Sequence, residues 1–270
     1  VTKSVLSALV GIALRAGDLP GLDERIGYIL PEAFATIPDQ AKREITIRDL
    51  ITMRSGLDWA EYGPSLGQMT GSADWIQSVL ELPLIHPPGT VFNYSTGDTH
   101  LLSAALQRLT GMSMLEYADI YLFDPLGIQR RRWQADPQGV TIGGTELRLT
   151  VRDLAKFGYF YLNNGIWNNT ALLPAGWVDQ TATYHTTRDP LGPDSCQPWG
   201  YGFLWWLRSM KGQRCMIAAG YGGQFVYVVP AFDLVVVMTG GLSAVPELFR
   251  DSRMICEFNL VEDFIVPAVM

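Results

Sequence analysis

The spacing of hydrophobic residues changes about two-thirds of the way along the chain. From Ser4 to about Tyr184, apolar residues recur mostly at helical spacing. From Tyr201 onward they fall in short runs rich in β-branched and aromatic residues, which is typical of strands. Helices segregated from consecutive strands indicate the α+β class, with an antiparallel sheet flanked by helices and a second, mostly helical lobe.

Capping residues and glycine or proline breaks set the limits of the predicted helices. The first is an apolar run over residues 5–14 that follows Lys3, the next cover 47–53, 74–82, 96–109, 114–123, 151–162 and 174–183, and a final helix covers 246–258. Residues 67–71 are predicted to form a loop.

The predicted strands cover residues 201–207, 214–219, 224–229 and 234–239. Short glycine- and turn-rich breaks separate them, so we predict an antiparallel meander. Residues 1–22 and 185–270 are assigned to the lobe that holds the sheet, and residues 23–184 to the mostly helical lobe.

Composition and charge narrow the functional classes. The chain has 48% hydrophobic and 17% charged residues and a net charge of −7. Its one basic cluster, at residues 130–132, is read as a solvated loop, and we expect no nucleic-acid partner. The longest apolar run is about half the length that a membrane span needs, so no transmembrane segment is expected.

Cysteine and histidine spacing predicts neither a metal site nor a cofactor. The three cysteines, Cys196, Cys215 and Cys256, lack metal-binding spacing and allow at most one disulfide. The histidines, at positions 86, 100 and 185, have no ligand spacing and are read as structural. The oligomeric state and the compartment, periplasmic or cytoplasmic, stay open.

Lys3 is a candidate general base. It is one of four lysines and lies at the start of the most apolar predicted helix, where burial lowers the pKa of an amine. A serine immediately before Val1 would complete Ser-x-x-Lys on adjacent turns of that helix, and we expect the nucleophile there. The alternative is a lysine that only solvates the helix N-terminus.

Two further segments are candidates for chemistry. Tyr94 follows a proline- and glycine-rich turn and leads into a helix, so its hydroxyl could relay a proton, with its phenolate favoured by a nearby ammonium. Gly220, Tyr221, Gly222 and Gly223 follow a predicted strand, and their backbone N–H groups could face an oxyanion. A packed loop tyrosine and a tight hairpin are the structural alternatives.

These segments and those between them resemble the serine β-lactamase and penicillin-binding-protein superfamily. The matching segments are ITIRDLITMRSGL at 45–57, PGTVFNYST at 88–96, DPLGI at 124–128, and Gly143-Gly144 followed by TVRDLAKF at 150–157. The similarity is greatest to its esterase and amidase branch, which is related to class C β-lactamases and includes the 6-aminohexanoate-dimer hydrolases. It covers nearly the whole chain.

The resemblance implies a bacterial serine hydrolase that cleaves a small-molecule ester or amide through an acyl-enzyme. The serine would attack the carbonyl, and Lys3 and Tyr94 would act as general base and acid for its proton. Residues 220–223 would form one side of the oxyanion hole. Thr96 stands at a substrate-contact position, and Trp59 and Tyr62 belong to a loop that borders the cleft.

Some residues depart from the family pattern. Thr96 replaces an asparagine of many relatives, and Ala218-Ala219-Gly220 replaces a motif with a cation and a hydroxyl in lactam-recognising relatives. Esters or uncharged amides are therefore favoured over β-lactams. In the family, further strands precede the nucleophile helix, so we expect a longer natural polypeptide.

Other interpretations stay open. Ser65 lies in a Gly-x-Ser-x-Gly sequence, although the strand that a nucleophile elbow requires before it is not predicted. A non-catalytic binding or regulatory protein on the same fold, and a β-lactamase or DD-peptidase, are the functional alternatives. Asp58 and Glu61 are read as a solvated acidic loop, and Trp59 and Tyr62 as loop anchors.

Overall fold

The computed structural model describes residues 1–186, 200–240 and 260–270. Its α-helices are α1 (Thr2–Ala16), α2 (Ile26–Ile29), α3 (Ile47–Ile51), α4 (Pro64–Gly71), α5 (Trp75–Leu80), α6 (Thr96–Thr110), α7 (Met114–Ala118), α8 (Val151–Leu162), α9 (Trp177–Thr181) and α10 (Val266–Val269). Short 3₁₀ or π turns occupy Gln40–Glu44, Asp119–Phe123, Pro230–Phe232 and Val261–Ile265. None of the helices in these ranges is both long and apolar enough to cross a bilayer.

The strands are β1 (Arg132–Trp133), β2 (Leu147–Arg148), β3 (Ile166–Trp167), β4 (Thr170–Ala171), β5 (Gly200–Tyr201), β6 (Trp206–Met210), β7 (Gln213–Gly220), β8 (Gln224–Val229) and β9 (Leu234–Met238). β1–β2 and β3–β4 are short antiparallel ribbons, and β5 to β9 form one antiparallel sheet in sequence order. This mixture of helices with an antiparallel meander confirms the predicted α+β class.

The predicted strand over 201–207 is wrong, because the chain reverses inside it. Tyr201 in β5 pairs with Trp206 in β6, and Leu204 between them has a left-handed backbone with φ of 58°. The Gly202 N–H donates to the Trp205 carbonyl, which closes the turn. Apolar residues continue through this turn, so hydrophobicity gives no sign of the reversal.

The structure differs from the prediction at two further elements. The predicted loop at 67–71 is wrong, since these residues lie in α4, which Pro64 starts at its first position. The predicted helix at 174–183 is shorter, because Gly176 with φ of 76° precedes α9. The predicted helix at 246–258 lies outside the described residues.

The chain divides into two compact units. The first, here called the sheet unit, comprises residues 1, 149–171 and 175–270, and the second, the helical unit, comprises 2–148 and 172–174. The predicted lobes had other boundaries, with residues 1–22 and 185–270 in one and 23–184 in the other. That division into lobes remains a prediction. The sheet unit includes α8, because α8 packs on β8 and β9. The helical unit includes α1, which contacts α6 and α7.

Two nearly fully buried helices form the core of the helical unit. Every residue from Thr2 to Ala13 of α1 is buried, and so is every residue from Thr96 to Leu106 of α6. A helix that is buried all round must satisfy its polar side chains internally. Lys3 and Thr96 are two of these polar residues.

The C-terminal segment packs on the sheet. Val261 and Val266 join a buried cluster with Met210, Cys215, Ile217 and Val229. Burial raises the pKa of the Cys215 thiol to about 12, so the thiol is protonated at neutral pH. Cys196 and Cys256 lie outside the described residues.

A buried ion pair fixes this segment to the sheet. The Arg208 guanidinium in β6 donates to a carboxylate oxygen of Glu262, whose other oxygen accepts from the Lys211 N–H at 3.2 Å. Both charged side chains are almost completely excluded from solvent. A charge so placed depends on its partner.

Replacing Glu262 by glutamine should strongly destabilise the sheet unit, since it removes the carboxylate charge that the buried Arg208 guanidinium contacts. We expect the free energy of unfolding, measured by urea denaturation, to fall by about 3–5 kcal/mol. The matched control is Asp263→Asn, which removes an exposed carboxylate from the adjacent position. Equal stability losses in the two variants would contradict the role of the pair.

Candidate functional site

The segment that carries Tyr94 is held at the N-terminus of α6. The Ser95 hydroxyl caps the helix by accepting from the Asp98 N–H at 2.9 Å. The Asn93 N–H donates to the Met53 carbonyl, and its side-chain amide donates to the Trp59 carbonyl at 2.8 Å. These bonds give Tyr94 and Thr96 a fixed backbone, as the proline- and glycine-rich turn before them predicts.

The helical unit brings Lys3 together with Tyr94 and Thr96. The Lys3 side chain is buried, and its Nζ donates to Thr96 Oγ1 at 2.9 Å and to the Gly144 carbonyl at 3.3 Å. The same Nζ lies 4.9 Å from the centroid of the Tyr94 ring. Three segments far apart in the sequence thus meet at one amine.

Glycines at 143 and 144 allow this approach. A Cβ at Gly143 would collide with the Thr99 carbonyl of α6, and one at Gly144 would lie 2.7 Å from Thr96 Cγ2 and 3.2 Å from Lys3 Nζ. Only a residue without a side chain lets the backbone lie this close to α6 and Lys3.

Glu61 belongs to this cluster, so its interpretation as a solvated loop residue is wrong. Its carboxylate accepts hydrogen bonds from the Thr96 N–H at 2.8 Å and from the Thr96 hydroxyl at 2.6 Å, and it also accepts from Trp59 Nε1. Because α6 leaves its first N–H groups unpaired, a carboxylate at its N-terminus is favourable. No local sequence pattern connects Glu61 with a helix that begins 35 residues later.

Burial dominates the electrostatics of the site. It lowers the pKa of Lys3 from its usual value, although the negative field of Glu61 and Tyr62 opposes that shift. It raises the pKa of Tyr94, and Glu61 raises it further. The lowered pKa agrees with the sequence prediction for Lys3, whereas the predicted phenolate at Tyr94 is wrong. Tyr94 is a protonated phenol that can donate a proton.

The two aromatic candidates beside the site differ in exposure. The Trp59 ring is buried against Gly97, where an added Cβ would lie 2.8 Å from its Cε3 atom. Tyr62 is 93% exposed. Trp59 is therefore an anchor of its loop, and a substrate contact for either residue remains a prediction.

In the sheet unit, residues 220–223 form the turn between β7 and β8. Gly220 pairs with Gln224, Tyr221 is exposed, and Gly222 and Gly223 have φ of 91° and 82°. The positive φ angles explain both of these glycines through the turn itself. The oxyanion role of the four residues therefore stays a prediction.

Ser65 does not have the setting of a nucleophile elbow. It lies in the first turn of α4, residues 61–63 before it form a turn, and its buried hydroxyl accepts from the Ala60 N–H at 3.0 Å. The geometry explains Ser65 as a structural residue.

His100 also has a structural partner. Its Nε2 lies 3.0 Å from Asp136 Oδ2, and both side chains are fully buried. Within the described ranges, no cluster of three or more histidine, cysteine or acidic side chains could hold a metal.

Asp98 is a buried carboxyl group beside the site. It accepts a hydrogen bond from the Ser55 hydroxyl at 2.8 Å, but burial outweighs its hydrogen bonds and raises its pKa to about 7. The folded protein therefore holds this proton at pH values where the unfolded chain has released it.

Because its folded-state pKa is raised, Asp98 should make the protein less stable as pH rises from about 4 to 7. The contribution is fully present below the unfolded pKa near 3.9 and is lost through the folded value. We expect the melting temperature of Asp98→Asn, relative to the parent protein, to rise over this range. The exposed control Asp58→Asn should leave the pH dependence unchanged, and parallel profiles for parent and Asp98→Asn would refute the prediction.

Substituting Gly144 by alanine should displace Thr96 and crowd Lys3, because the new Cβ would lie 2.7 Å from Thr96 Cγ2 and 3.2 Å from Lys3 Nζ. We expect the free energy of unfolding to fall by about 1–3 kcal/mol, as for other overpacked sites. Gly67→Ala is the control, since an added Cβ there meets nothing within 4 Å. Chemical denaturation of both variants measures the difference, and an unchanged Gly144→Ala protein would contradict the close packing.

The chain is similar to two curated hydrolases. A 6-aminohexanoate-dimer hydrolase from Paenarthrobacter ureafaciens is 27% identical over 54% of this chain and 38% of its own length. A lovastatin esterase from Penicillium rubens is 25% identical over 53% of this chain and 38% of its own length. The chain thus spans well under half the length of these two curated relatives.

The fold is shared with solved structures. A beta-lactamase structure from Mycobacterium bovis matches with a TM-score of 0.69. The match covers 99% of this chain and 85% of the beta-lactamase, and the two sequences are 20% identical. The family model described as Beta-lactamase matches residues 1–240. Because this match covers most of the sequence, the chain belongs to the beta-lactamase family.

Proposed function

We propose that this protein is a serine hydrolase that cleaves an ester or an uncharged amide through an acyl-enzyme. The observation that carries the proposal is the buried Lys3 amine, held by Thr96 and Gly144 beside the Tyr94 ring. A lysine whose pKa is lowered by burial is suited to act as a general base.

The proposed nucleophile is a serine immediately before Val1. That position lies three residues before Lys3 in the sequence, so the two side chains would lie on adjacent turns of one helix. Lys3 would take the hydroxyl proton as the serine oxygen attacks the substrate carbonyl. The tetrahedral intermediate would then collapse to an acyl-enzyme and expel the alcohol or amine.

Tyr94 is the proposed proton donor to the leaving group. Its raised pKa keeps the phenol protonated, so it can supply a proton to the departing oxygen or nitrogen and recover one from Lys3. Water would then attack the acyl-enzyme, with the same groups working in reverse to release the acid and restore the serine. By resemblance, backbone N–H groups of residues 220–223 would stabilise the oxyanion.

The named relatives support both substrate classes. One is a hydrolase of the 6-aminohexanoate dimer and another an esterase of lovastatin. In this chain Ala218-Ala219-Gly220 offers neither a cation nor a hydroxyl for the carboxylate of a β-lactam. This supports an ester or uncharged amide rather than a β-lactam as substrate.

The test is fluorophosphonate labelling of the natural polypeptide together with kinetics on p-nitrophenyl esters and anilides. We expect one adduct on the serine before Val1, and Lys3→Met should lower kcat by about 10²–10⁴-fold. Tyr94→Phe should impair anilide hydrolysis more than ester hydrolysis, because an amine leaving group depends more on protonation.

Lys156→Met is the matched control, since it removes a lysine from α8 in the sheet unit. It should retain the parent kcat. A protein that takes up no fluorophosphonate, or a Lys3→Met variant with full activity, would refute the hydrolase mechanism and favour a non-catalytic binding protein.

A further inference from the structure

Lys3, Thr96 and Glu61 form a continuous chain of hydrogen bonds. Lys3 Nζ lies 2.9 Å from Thr96 Oγ1, which in turn lies 2.6 Å from Glu61 Oε1. The Thr96 hydroxyl is buried, and its two neighbours in this chain are an amine and a carboxylate. The direction of each bond therefore follows from the single proton that the hydroxyl carries.

A carboxylate can only accept, so the hydroxyl proton of Thr96 points to Glu61. The hydroxyl must then use a lone pair toward Lys3, and Lys3 must donate one of its N–H groups. A second N–H is directed to the Gly144 carbonyl at 3.3 Å. A neutral lysine has two N–H protons, and these two bonds use both of them. The nitrogen lone pair therefore points away from Thr96 and Gly144.

From this arrangement we propose that Glu61 is a positioning residue for the general base. By accepting the Thr96 hydroxyl proton, Glu61 prevents that hydroxyl from donating to Lys3 and so keeps the amine lone pair available to a nucleophile. The inference rests on the proposed role of Lys3 as the base. Glu61 acts through Thr96 and does not itself touch the reacting atoms.

The carboxylate cannot be replaced by an amide. One oxygen of Glu61 accepts from the Thr96 N–H and from Trp59 Nε1, while the other accepts from the Thr96 hydroxyl. A glutamine that keeps the first two bonds directs its NH₂ at the hydroxyl, which then donates to Lys3. A glutamine turned the other way places its NH₂ against two N–H donors.

Among the residues that the structure describes, Glu61, Tyr62 and Tyr94 are the titratable groups around Lys3. Glu61 and Tyr62 approach from the loop before α4, and the Tyr94 ring approaches from the segment before α6. Removing the Glu61 charge and letting the Thr96 hydroxyl donate to the lone pair both stabilise the neutral amine. Both effects lower the pKa of Lys3.

The first measurement is the titration of Lys3 by NMR in the natural polypeptide labelled with ¹³Cε-lysine. The signal that disappears in Lys3→Met is the one that belongs to Lys3. In Glu61→Gln its midpoint should move to lower pH by about one unit. Asp58→Asn, which removes an exposed charge from the same loop, should leave it in place.

The second measurement is the pH profile of ester hydrolysis. Glu61→Gln should lower the plateau kcat about 10- to 100-fold while moving the acid limb to lower pH. Simple structural damage would lower the plateau without that shift. In a Thr96→Val background, Glu61→Gln should lower the plateau no further, because no hydroxyl remains to be oriented.

A second pair of variants covers the case in which Glu61→Gln does not fold. Thr96→Ser, which keeps the hydroxyl, should retain more of the plateau kcat than Thr96→Val. Equal activities of these two variants would overturn the proposal, as would an unmoved Lys3 midpoint in folded Glu61→Gln. A parent protein without esterase activity or adduct refutes the hydrolase function, whereas an active parent with an unaffected Glu61→Gln refutes only the role of Glu61.

Discussion

The burial of the Lys3 amine is the constraint on which the site depends. An amine excluded from water must be hydrogen-bonded, and it is neutralised more easily than an exposed one. Its partners are the Thr96 hydroxyl and the Gly144 carbonyl. The first requires α6 to begin at this point, and the second requires a backbone without side chains against α6. Gly144 and the start of α6 thus both serve the buried nitrogen, whereas Gly143 lets the same segment lie against the Thr99 carbonyl.

The N-terminus of α6 holds two carboxyl groups in different surroundings. Glu61 is partly exposed and accepts from the Thr96 N–H and hydroxyl, so it pairs with the positive end of the helix. Asp98 is fully enclosed within the first turn, and burial raises its pKa to about 7. The same side-chain chemistry thus gives an orienting acceptor at one position and a proton-holding group at the other.

The sheet unit connects the five strands of its antiparallel meander through short turns. β6 to β9 are joined by turns in which Gly212, Gly222 and Asp233 have positive φ angles. α8 covers the last two strands, and Gly158 lets it approach, because an added Cβ would lie 2.6 Å from Val235 Cγ1. The Arg208–Glu262 pair then fixes the C-terminal segment to the sheet.

Local chemistry let the sequence by itself predict α1, the capped starts of α3 and α8, the end of α6 at Gly111 and the strand order. Each of these depends on residues a few positions apart, and Thr46 and Thr150 indeed cap their helices in the structure. The Lys3 helix, the Tyr94 segment and the segments between them resembled a family and indicated two candidate residues. Only the tertiary structure could show that Thr96 meets Lys3 across 93 positions and Glu61 across 35. The structure also corrected the prediction that Tyr94 is a phenolate, because burial and Glu61 raise the pKa of its phenol. Burial and the charge around a side chain are set by segments that no local sequence pattern connects.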